Sequence, residues 1–183
     1  MAEAVAAPAP GPAWALVEEL ASRDRVRRMR AVTQLRSLGK AAAPALERGL
    51  ACDSRVEIRR WCAHLLQQGR YRASASAIVG ATHDPIATVR LLALHALAGD
   101  PGPDDDLGLD PVPHLVRLVR QDRSKRVRQA ALQHLRQRLD DPRARAAVAE
   151  ATASGAARVI PARRGALWLP PALGDQRPLA ARN

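Results

Sequence analysis

Phenylalanine is missing from this 183-residue sequence, and aromatic residues make up only 2% of it: Trp14, Trp61, Trp168 and Tyr71. Strand-built cores draw on aromatic and β-branched side chains, so a β-sandwich or barrel is not expected. Without aromatics interleaved among its basic residues, the chain also lacks a stacking platform for single-stranded nucleic acid. Lysine is scarce: Lys40 and Lys125 are the only two among 29 cationic residues. Cysteine is limited to Cys52 and Cys62, which have neither metal-ligand spacing nor the numbers for a disulfide framework, and fit a reducing, cytoplasmic setting. No apolar run reaches the roughly 18 residues a membrane span needs. The opening stretch MAEAVAAPAPGPA has no basic n-region and is interrupted by Pro8, Pro10 and Pro12, so it does not read as a signal peptide.

What is present is alanine, leucine and valine, within a hydrophobic fraction of 47%, and a net charge of +11. The apolar residues favour close-packed helices, and the expected fold class is all-α. The charge favours anionic partners through steering and counterion release.

The apolar residues recur. DPIATVRLLALHAL, Asp84 to Leu97, repeats its skeleton along the chain, aligning Arg28, Arg59, Arg90 and Arg128 in one column. Ala31, Cys62, Ala93 and Ala131 form a second column, and Leu35, Leu66, Leu97 and Leu135 a third. The steps from Arg28 to Arg59 and from Arg59 to Arg90 are equal, and the step from Arg90 to Arg128 is longer, so the last repeat follows an insertion. A fixed period of this size predicts stacked helical hairpins. Successive helical residues advance by about 100°, so the positions one before the arginine and three, four and seven after it share a core face. Gly39, Gly69 and Gly99 each end a periodic segment, where a left-handed cap is expected. Pro44 and Pro113 stand at the same offset before Arg59 and Arg128, and each opens the first helix of its repeat.

The expected organisation is therefore a disordered Ala/Pro-rich segment over residues 1–13 and a repeat domain over 14–158. Its repeats lie near 14–39, 44–69, 72–99 and 113–139, followed by a capping helix over 142–158. An acidic insertion spans 100–110, and an Arg/Pro-rich tail, extended or disordered, covers 159–183.

An aspartate stands six residues before the arginine in Asp53/Arg59, Asp84/Arg90 and Asp122/Arg128. With the matching columns, this resembles the HEAT-repeat family, and the short period is most similar to phycobilin-lyase-type HEAT-like repeats. The resemblance implies a right-handed α-solenoid of about four hairpins. It also implies that Asp53, Arg59, Asp84, Arg90, Asp122 and Arg128, together with Arg28, serve as a structural ladder between neighbouring repeats. Each aspartate is also expected to cap its second helix. HEAT-repeat enzymes of the deoxyhypusine hydroxylase type use His-Glu pairs for a di-iron centre; here His64, His95, His114 and His134 are followed by Leu65, Ala96, Leu115 and Leu135. Neither a catalytic constellation nor a cofactor or metal site is expected.

Outside core and ladder, a second-helix surface of Arg60, His64, Leu91, His95, Gln129 and Gln133 is the candidate contact for a protein partner, apolar and nearly uncharged around Leu91 and Ala98. Arg117, Arg120, Arg123, Lys125, Arg126 and Arg136 form the candidate surface for nucleic acid or another polyanion. The expected function is that of a non-enzymatic scaffold or adaptor binding another protein. The alternatives are a nucleic-acid-binding solenoid and a bilin-lyase-like or other enzyme accessory subunit.

Overall fold

The computed structural model describes residues 11–69, 74–99 and 108–154, and every regular element among them is helical. The acidic run Asp104 to Asp106, the tail around Trp168 and nearly all of the Ala/Pro-rich start lie outside the described residues. Nine α-helices are described: α1 Pro12–Glu19, α2 Arg25–Leu38, α3 Ala43–Cys52, α4 Val56–Gly69, α5 Ala75–Ala81, α6 Ala87–Ala98, α7 Val112–Gln121, α8 Lys125–Arg136 and α9 Pro142–Ala153. A 3₁₀ turn over Gly39–Ala42 joins α2 to α3. Among the described residues, no helix is long and apolar enough to cross a membrane.

Helix starts follow local chemistry. Pro12, Pro44, Pro113 and Pro142 sit in the first turns of α1, α3, α7 and α9, where the missing N–H has no intrahelical acceptor to lose. Asp24 and Asp141 are true N-caps, accepting from the backbone N–H of Val26 and Arg143 at 2.8 and 2.7 Å. The ladder aspartates depart from the expected capping position. Asp84 and Asp122 stand two residues before the N-caps Ile86 and Ser124 and accept the N–H of those residues. Gly39 has a positive φ of 55°, which glycine tolerates, but its ψ of −129° lies outside the left-handed helical cap expected there, and Gly99 has φ −58° and ends α6 in extended backbone.

The helices pack in two rows. α2, α4, α6 and α8 contact one another in succession, α3 touches α1 and α5, and α9 lies across α7 and α8. All eight residues of the alanine/cysteine and leucine columns are buried. Cys62, at 0% exposure in the small-residue column, has its thiol pushed well up by burial and then by Asp53, so it behaves as an apolar filler.

Close approach is demanded most sharply at Gly49 in α3. A β-carbon there would lie 2.7 Å from Cys62 Sγ and 2.9 Å from Val17 Cγ1. Gly49→Ala is thus expected to lower stability, because overpacking of about 1–3 kcal/mol outweighs a helix-propensity gain of about 1 kcal/mol. Thermal unfolding followed by circular dichroism checks the sign, and a raised midpoint would show that the site has room.

Candidate functional site

The repeated arginines work in two directions. Each turns Nη1 back onto the carbonyl six residues earlier: Arg28 to Ser22, Arg59 to Asp53, Arg90 to Asp84 and Arg128 to Asp122, at 2.6 to 3.0 Å. Arg59 and Arg90 then reach the next repeat with their other edge. Arg59 donates through Nε and Nη2 to Asp84 at 2.7 and 3.3 Å, and Arg90 to Asp122 at 2.7 and 2.8 Å. Burial pushes the Asp122 carboxyl up, but Arg90 and the Ser124 N–H outweigh it and hold the group below the usual carboxylate range. The ends differ. Asp53 is held by Arg55 of its own turn at 2.8 Å, and Arg28 donates to Ser22 rather than to Asp53.

A fifth arginine, passed over in the sequence, has the same inward contact. Arg145 in α9 donates Nη1 to the carbonyls of Leu139 and Asp140, six and five residues back, as Arg59 and Arg90 do in their turns. It follows Arg128 by little more than half a repeat and has Leu139 where the interior repeats have aspartate, so spacing gave no cue. α9 is therefore built as a second helix that lacks a first.

The proposed partner surface is largely closed, which corrects the expectation of a free face on α6. Leu91 and Ala98 are buried with Leu94, Leu115, Val127 and Leu135, and His64 is buried beside Trp61 in α4. α6 has α4 on one flank and α8 on the other, so its sides are core as well as its inner face. Arg60 and Gln129 are half-buried, and Gln133 is exposed.

Two polar pairings lie on these helices instead. Gln68 accepts from Arg36 Nη2 through its carboxamide oxygen, and its Nε2 lies 3.2 Å from His64 Nε2. Between α6 and α8, His95 Nδ1 meets His134 Nε2 at 3.0 Å, with the ring planes 68° apart. Burial, then His134 and Arg126, hold His95 down to about 4. Burial and then Arg138 lower His134, while burial and then Arg36 lower His64. His134 sits one position outside the column holding His95 and on the far side of the insertion, so periodicity could not have paired them. Among the described residues, no group of three or more His, Cys, Asp or Glu is placed to hold a metal ion.

The proposed anion surface is divided. Arg117 donates to Thr82 Oγ1 at 2.7 Å, tying α7 to the end of α5, and Arg120 clasps Glu150 of α9 at 2.7 and 3.1 Å. Arg123, Lys125, Arg126 and Arg136 remain on the exterior.

An apolar groove of about 560 Å³ opens at the other end of the molecule, between α1, α2 and α3. Trp14, Leu16, Leu38, Ala41, Pro44 and Ala45 line it, and the Arg48 guanidinium lies 4.6 Å from the centre of the Trp14 ring. Leu38, 41% exposed, leaves much of its side chain open to solvent. Sequence periodicity places Leu38 among the apolar residues of its helix with Ala31, Val32 and Leu35 and gives no sign of a groove, because the walls come from three different helices. The chain matches no family model and no curated protein.

Proposed function

We propose that the chain is a cytoplasmic, non-enzymatic scaffold, a right-handed solenoid of about four HEAT-like hairpins that binds another protein. The apolar groove at the α1–α3 end carries this reading: it leaves Leu38 exposed and Trp14 only half-buried in a protein that buries the leucine column of every repeat. The ladder supports it, since the arginines and aspartates that hold successive hairpins together leave the residues between them free to vary.

Photo-crosslinking from a benzophenone side chain placed at exposed positions of the full-length protein, with mass spectrometry of the captured species, tests the proposal. A protein partner recovered with saturable stoichiometry is expected, and none from any position would defeat it. A rival reading, duplex nucleic acid on the exterior cations Arg123, Lys125, Arg126 and Arg136, predicts a steep salt dependence. Anisotropy of a labelled duplex across a salt series would show that dependence flattening when these residues become glutamate.

A further inference from the structure

We infer that the groove between α1, α2 and α3 receives an acidic amphipathic helix from the partner protein. The inference deepens the scaffold reading and rests on it. A groove walled by three helices and floored by apolar side chains suits the anchor residues of a guest helix, which project from one face at intervals of three and four residues. Trp14 and Leu38 offer the largest apolar contacts, and Ala41 and Ala45 leave space between them.

Charge selects the guest. α2 carries no acidic residue; Arg27 pairs with Glu19, Arg28 turns onto the Ser22 carbonyl and Arg36 donates to Gln68, and Arg30 is exposed on the side of the groove. Arg30 lies one helical turn before the lining Gln34, Lys40 adjoins the lining Ala41, and Arg48 lines the groove itself. Of the carboxylates nearby, Glu19 takes Arg27 and Glu47 accepts from Ser74 at 2.6 Å, while Glu18 is exposed and interacts with Arg55. A guest with acidic residues flanking its apolar stripe meets cations on these sides. A second copy of the chain, itself at +11, would meet repulsion.

The test uses the full-length chain and a labelled 16-residue helical peptide with leucine at spacings of three and four and glutamate at the remaining positions. A twin peptide carries lysine in place of every glutamate. The glutamate peptide is expected to bind, to shift the Trp14 indole N–H resonance and to leave that of buried Trp61 in place. Leu38→Asp should weaken binding at least tenfold, as should Ala41→Glu, and both positions are exposed enough for the variants to fold, which circular dichroism verifies. Arg30→Glu with Arg48→Glu should weaken it about fivefold or more and lower its salt sensitivity.

Equal binding of the lysine twin would overturn the inference, as would affinity unchanged by both groove variants. It also fails if phosphatidylserine-containing vesicles bind in a manner sensitive to Leu38→Asp while the peptide does not. Deleting residues 2–10 should change peptide affinity less than twofold; a tenfold gain would make that segment the resident of the groove. If the peptide fails yet crosslinking returns a protein attached far from position 38, the groove inference falls and the scaffold reading stands.

Discussion

Asp122→Ala is expected to lower stability by about 3–5 kcal/mol, a large part of the 5–15 kcal/mol typical of a domain. The Asp122 side chain is 3% exposed and accepts two hydrogen bonds from Arg90, itself 12% exposed. Removing the carboxylate leaves a largely buried guanidinium without its hydrogen-bonded partner, with only the more distant Asp84 charge near it, and it frees the Ser124 N–H at the start of α8. Asp53→Ala provides the contrast. Its partner Arg55 is 46% exposed, so the ion pair itself contributes about 0–1 kcal/mol, and loss of the acceptor for the Arg55 N–H adds about 1 kcal/mol. Urea unfolding of both variants, with Arg90→Ala and the Arg90→Ala/Asp122→Ala double variant, gives the coupling energy. The double variant should lose less than the sum of the singles. If Asp122→Ala costs no more than Asp53→Ala, the ladder does not hold the repeats together.

Acid should weaken the fold well before the carboxylates titrate. His64, His95 and His134 are all lowered from an unfolded value near 6.5, His95 to about 4. The folded chain therefore binds fewer protons than the unfolded chain as pH falls from 6.5 toward 4. Stability from these groups is fully present above pH 6.5 and is lost through that window. A full one-proton difference changes stability by about 1.4 kcal/mol per pH unit, and because the unfolded imidazole is only half protonated at pH 6.5, His95 alone accounts for about 1.5 kcal/mol between pH 6.5 and pH 5. Asp53 and Asp122, lowered from 3.8, add their losses only below that range. The geometry gives the same direction. One imidazole must accept in the His95–His134 contact, and two protonated rings 3.0 Å apart beside Arg126 and Arg138 cannot both keep it. Urea midpoints at pH 7, 6 and 5 test this, and His95→Gln should flatten the slope. A midpoint unchanged between pH 7 and pH 5 would remove the pair from any account of stability.

Helices and core were legible in the sequence because the packing repeats. A residue that must be small against one neighbour must be small against the next, so Ala31, Cys62, Ala93 and Ala131 announced a buried column. What was not legible comes from flanks, ends and the insertion. A helical wheel for α6 gives the face turned to its own hairpin partner but omits α4 and α8, and so left Leu91 outside. The fixed spacing drew attention to Asp84 with Arg90, yet the carboxylate–guanidinium bonds join Asp84 to Arg59 of the preceding repeat, a link the family resemblance implied and spacing alone did not. Arg117 and Arg120 looked like surface charge until Thr82 and Glu150 arrived from other helices to occupy them.

The ladder also bears on how such a chain can change length. Each interior repeat brings one aspartate for the repeat before it and one arginine for the repeat after it. A duplicated hairpin inserted between two existing ones therefore arrives with both halves of its own rungs and leaves no charge unmatched. Half-rungs stand between the first two repeats, where Asp53 has turned to Arg55, and after the fourth, where Leu139 stands in place of an aspartate. The number of repeats can thus drift in evolution by whole units at little electrostatic cost, while a terminus needs its own substitutions before it can serve as an end.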